Sequence, residues 1–119
     1  MAFAETGVVN DVKDDENNNT VPTDFALSQN YPNPFNPSTS IEFSVPVSSD
    51  VTLRIYNLLG QVVTTLVSEE VSAGHYSTVW NGADDNGFQV SSGVYLYEMK
   101  ANGNNGKAYS QIKKMVFLK

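Results

Sequence analysis

The amino-acid sequence predicts an all-β fold, an antiparallel immunoglobulin-like β-sandwich of about 7–8 strands. Three observations lead there. Short segments that alternate apolar and polar residues recur roughly every ten positions. Pro, Gly, Asn or Asp separate them. No stretch keeps an amphipathic helical period over three turns. A compact barrel is the minority alternative.

The first candidate strand, residues 25–31, is ended by Pro32-Asn-Pro-Phe-Asn-Pro37. Prolines there fix φ and remove ladder donors, so this stretch is an edge or an extended loop. Ile41, Phe43 and Val45 alternate with Glu42 and Ser44 in a half-buried strand stopped by Pro46. Val51, Leu53 and Ile55 alternate with Thr52, Arg54 and Tyr56 in the clearest strand of the chain. Residues 57–60 turn it, and residues 61–67 return. After the Ser72-Ala-Gly74 turn, Tyr76, Thr78 and Trp80 share one strand face by the period of two. Residues 81–87 form a loop of turn formers, followed by a short strand over residues 88–90. Residues 94–101 place Tyr95, Tyr97 and Met99 on one face and Val94 and Leu96 on the other. Residues 102–106 form a hairpin loop. The final strand, KAYSQIKKMVFLK, runs from Lys107 to the last residue. Trp80 is the expected centre of the core, with Leu53, Ile55 and Phe43.

At 119 residues the chain is one domain's worth. Hydrophobic residues make up 40% and charged residues 17%, a globular balance. The formal charge of -6 is uneven, with Glu5, Asp11, Asp14, Asp15, Glu16 and Asp24 set against Lys13 alone. Residues 1–24 read as an acidic, Asn-rich disordered linker, too poor in apolar residues to offset the entropy of ordering; residues 25–119 are the sandwich. This acidic balance argues against nucleic acid, which demands clustered Lys or Arg. No apolar run reaches the ~20 residues of a membrane-spanning helix. The N-terminus lacks the basic and apolar regions of a signal peptide, so an exported protein would carry its export signal on a longer chain. No cysteine is present.

Chemistry-bearing clusters are sparse. Asp84-Asp85-Asn86-Gly87 is rich in oxygen ligands but lacks the alternating positions and closing glutamate of an EF-hand loop, and reads as a turn. His75, the single histidine, lies on the strand face opposite Trp80 with no assignable metal or acid-base partner. No catalytic, metal or cofactor site is expected. Trp80, Tyr95 and Tyr97 could stack sugars, but their alternation on strands favours core packing. Pro32, Asn33, Pro34 and Phe35 form either a rigid docking loop or a capped sheet edge. The edge reading is favoured for the prolines, and Phe35 stays open between the two.

Five segments resemble a known family. They are FALSQNYPNPFNPST (residues 25–39), IYNLLGQVV (55–63), Ala73-Gly74 ahead of Trp80-Asn-Gly82, SGVYLY (92–97) and KKMVFLK (113–119). In this order and spacing they resemble the C-terminal sorting domain, type A, of type IX secretion cargo proteins, which is similar in fold to the Ig-like domain of the flagellar hook-capping protein. The resemblance implies a signal rather than an enzyme. Its partners would be a type IX translocon with its shuttle proteins and a sortase-like surface protease. The domain would carry cargo from the periplasm to the cell surface or medium, with cleavage in the preceding linker. Gly93, Tyr95, Lys113, Lys114, Met115, Val116, Phe117, Leu118 and Lys119 would be the residues read, the terminal strand offering a partly open edge for strand addition while its lysines also protect that edge. An exposed terminal strand could also pair two copies in a weak homodimer. A different class with the same fold, a carbohydrate-binding or adhesive accessory module of a secreted hydrolase, is the alternative.

Overall fold

The computed structural model describes residues 9–10 and 21–119. The expected linker over residues 1–24 therefore lies largely outside the described residues. The described residues form eight strands: β1 (Val9–Asn10), β2 (Ala26–Leu27), β3 (Thr39–Val45), β4 (Ser49–Tyr56), β5 (Val62–Val71), β6 (Gly74–Trp80), β7 (Gly93–Gly103) and β8 (Ala108–Phe117). They form two four-stranded antiparallel sheets, ordered β1-β6-β3-β2 and β5-β4-β7-β8. The all-β sandwich is as the sequence predicts.

Strict alternation builds the core. On β4, Val51, Leu53 and Ile55 point inward while Thr52, Arg54 and Tyr56 are half-buried on the outer face. On β7, Tyr95, Tyr97, Met99 and Ala101 take the inner face. From the other sheet come Ile41, Phe43 and Val45 of β3 and Tyr76 and Trp80 of β6. Trp80, Leu53, Ile55 and Phe43 are all buried, and His75 is exposed.

Three elements depart from the period-two reading. β5 carries irregularities opposite Leu53/Arg54 and Ile55/Tyr56, and its buried residues are Val63, Val67 and Val71, with Thr65 exposed and Glu69 half-buried between them. Bulges of this kind twist an edge strand and blunt it against pairing. The first strand is broken: only Ala26 and Leu27 pair fully with β3, followed by the Ser28 N–H donating to Glu42 O and a bridge from Tyr31 to Ser40. Between those contacts the Tyr97 hydroxyl donates to Ser28 O (2.7 Å) and accepts from the Asn30 N–H (2.8 Å), pulling the segment off β3 toward the opposite sheet. The short strand expected at residues 88–90 is instead a loop that folds back on residues 82–84, through the bridge Ala83–Gln89 and the Val90 N–H donating to Gly82 O.

The terminal strand also needs correction. β8 pairs with β7 through the hairpin at residues 102–106, but it ends at Phe117, two residues short of the expected limit. Its outer edge is not open over its last third. The Gln29 side chain donates to Lys114 O (2.8 Å), the Phe35 N–H donates to Val116 O (3.0 Å), the Leu118 N–H donates to Phe35 O (3.0 Å), and the Val116 N–H donates to Asn33 Oδ1 (2.9 Å). The proline-rich loop satisfies the edge that strand addition would have used.

Candidate functional site

Strand register determines which loops meet. β4 ends at Tyr56 opposite Leu96, β7 begins at Gly93 opposite Phe117, and β6 ends at Trp80 opposite Thr39. Residues 31–38, 57–61, 81–92 and 118–119 therefore gather at one end of the sandwich.

That end rests on an aromatic cluster. Phe35 stacks on Phe117 with ring centroids 4.8 Å apart, and both pack against Trp80, at 5.5 and 6.2 Å. Tyr95 meets Trp80 edge-on at 5.5 Å, the arrangement the ring quadrupoles favour. Polar atoms in the cluster are satisfied: the Trp80 Nε1–H donates to Ala83 O and the Tyr95 hydroxyl to Ser91 O. Gly82 has φ +80°, and a Cβ there would sit 2.8 Å from the Phe117 ring, so glycine alone lets the 81–92 loop lie over the cluster. The Lys119 N–H donates to the Ser92 hydroxyl, tying the last residue to the same loop.

Two loops rise from this base. In residues 57–61 the Asn57 side chain accepts from the Leu59 and Gln61 N–H groups and donates to Gln61 Oε1, while the backbone closes through Gly60 N–H to Asn57 O and Asn57 N–H to Gln61 O. This bonded turn holds Leu58 and Leu59 in solvent, at 66% and 83% exposure. In the second loop Asp84 Oδ1 accepts from the Asn86 and Phe88 N–H groups, making Asp84–Gly87 a turn, and Phe88 is exposed beyond it. The Asp85 N–H donates to Val63 O and ties the second loop to the start of β5. Between the two loops lies an open cleft of about 460 Å³, lined by Asn57, Gln61, Val62, Val63, Asp84, Asp85, Asn86 and Val90. Of the large apolar side chains exposed among the described residues, Tyr31, Leu58, Leu59, Val62, Phe88 and Leu118 all belong to this end.

The residues expected to be read divide by burial. Tyr95, Met115 and Phe117 are core; Gly93, Lys113 and Val116 are half-buried; Lys114, Leu118 and Lys119 are exposed. Phe35, left open between docking and structure, is 1% exposed, and its ring is part of the core beneath the loop rather than a surface presented to a partner. Pro32, Asn33 and Pro34 are exposed. Trp80, Tyr95 and Tyr97 are buried, as the core reading expects, and cannot stack on a glycan. Missing from the sequence expectations were Leu58, Leu59 and Phe88. The signal was present, because two leucines stand at the tip of a turn where polar residues are the rule.

No curated protein matches the chain. Residues 33–105 match the FlgD Ig-like domain. Among solved structures, dimeric latent PorU from Porphyromonas gingivalis is 19% identical with a TM-score of 0.64, covering 84% of this chain and 10% of that one. FlgD from P. aeruginosa is 26% identical with a TM-score of 0.55, over 81% of this chain and 70% of that one. FlgD from Xanthomonas campestris is 21% identical with a TM-score of 0.54, over 81% and 65%. The chain thus spans about a tenth of the PorU chain it resembles.

Proposed function

The chain belongs to the FlgD Ig-like domain family, and from that premise we propose that it is a sorting domain that directs an attached cargo protein through the type IX outer-membrane translocon, with no catalysis or cofactor of its own. One observation carries this reading. Parts of all five segments that resemble type IX sorting domains, residues 31–37, 57–61, 80–82, 92–95 and 116–119, meet at one end of the sandwich, while Phe25 and the Ala73-Gly74 turn lie at the other. There they build a single surface over the Phe35–Phe117–Trp80 cluster. A signal read in the folded state needs such a surface, because packing buries Phe35, Met115 and Phe117 of the segments that resemble the family.

On this reading the sortase-like protease cuts within residues 5–24, and the cargo is released or attached at the cell surface. The folded domain, rather than the open edge of β8, is what the translocon binds. The carbohydrate-binding alternative loses its platform with the burial of Trp80, Tyr95 and Tyr97.

The test is to append the whole chain to a periplasmic reporter carrying an ordinary signal peptide. In a bacterium with a type IX system the reporter should leave the periplasm, and in the same strain without the translocon it should stay. Equal retention in both strains would refute the proposal.

A further inference from the structure

We propose that the Leu58-Leu59 turn, Phe88 and the cleft between their loops are the docking site for an apolar, cationic segment of the export machinery. The identity of the partner rests on the sorting function proposed above; the surface itself is argued from its construction.

Exposed leucines on a mobile tip would mean little. Here the turn is locked by three side-chain hydrogen bonds of Asn57 and two backbone ones, so both leucines are presented with most of their ordering entropy already spent in folding. Neither contributes to the core, which is complete without them. Phe88 is exposed on the other loop that borders the cleft, its N–H donating to Asp84 Oδ1. Exposed apolar side chains on the two loops that border a cleft fit an inserted segment better than a flat surface.

Charge selects the kind of segment. Asp84 and Asp85 are the charged residues among the cleft lining, and no lysine or arginine lines it. The Asp84 carboxylate is engaged in its turn, while Asp85 is exposed on the rim. A partner that places aliphatic or aromatic side chains on Leu58, Leu59 and Phe88 and a lysine or arginine beside Asp85 is complementary in both shape and sign. An anionic partner is disfavoured by the same carboxylates.

The experiment uses the whole chain fused to the exported reporter. Leu58→Ser/Leu59→Ser and, separately, Phe88→Ser change exposed side chains, so thermal unfolding should match the parent. Export should nevertheless fall about tenfold, the loss expected on removing an interface anchor. Asp85→Lys should reduce export as well, and Asp85→Asn less than Asp85→Lys. Unchanged export of the folded leucine and phenylalanine variants, with the parent exported normally, overturns the docking site and leaves the sorting function standing. Full export of Asp85→Lys overturns the cationic partner. Failure of the parent fusion to be exported removes the sorting function and this inference with it.

Discussion

Trp80 shows most clearly how one residue serves both fold and site. It is 1% exposed, touches Phe35, Phe117 and Tyr95, and anchors the 81–92 loop through its indole N–H. Trp80→Ala should cost about 3 to 5 kcal/mol by cavity formation and lost transfer energy, close to the whole stability of a small domain. Denaturant unfolding measures it, and a loss below about 1 kcal/mol would contradict the packing described. Thr78, two residues earlier on the same face, makes the opposite prediction. Its hydroxyl is buried without a hydrogen-bond partner, so an isosteric methyl has nothing to break. Thr78→Val should be at least as stable as the parent in the same assay; a loss above about 2 kcal/mol would mean that the hydroxyl is bonded after all.

At the scale of elements, the broken first strand closes the sandwich edge. Residues 25–35 begin beside β3, bond to the Tyr97 hydroxyl between the sheets, and end beside β8. Burial raises the Tyr97 phenol to about 12 against the lowering effect of the Asn30 N–H, and burial also raises Tyr76, helped by the nearby Glu69 charge. The unfolded phenol ionises near 10.0. Below that pH both states are neutral and nothing is lost. As pH rises from about 10 toward 12, only the unfolded state ionises, so stability falls across that window. The urea midpoint should therefore drop between about pH 9 and pH 11, and by less in Tyr97→Phe measured against its own neutral-pH value. A midpoint that stays flat in the parent would contradict the buried phenol.

The same segment explains how far the sequence could be read. β4, β6 and β7 were legible because each has one buried face, and the period of two records it directly. β5 was legible as a strand but not in its facing, because two register shifts interrupt the pairing over residues 62–67 and Glu69 takes an inner position opposite Val51. The pairing of Val9–Asn10 with β6 left no sequence trace, since two residues carry no period. The proline loop was legible as an edge device, yet not the strand it covers: Phe35 lies eighty-two positions before Phe117, and only tertiary structure brings the two rings to 4.8 Å. At the candidate site, the resemblance singled out residues 113–119 as residues read by a partner, whereas burial assigns Met115 and Phe117 to the core.

For the whole molecule, the proposed sorting function places recognition on a folded end of the sandwich and not on a terminal peptide. Removing residues 113–119 would take Met115 and Phe117 out of the core, so loss of export in such a truncation would report unfolding as readily as lost recognition. The direct measurement is site-specific photo-crosslinking in exporting cells, with the crosslinker placed at Leu59 or, at the other end of the sandwich, at Asn105. Both positions are exposed. Crosslinks from Leu59 to translocon components, with none from Asn105, are the predicted result. Crosslinks from Asn105 and none from Leu59 would contradict it.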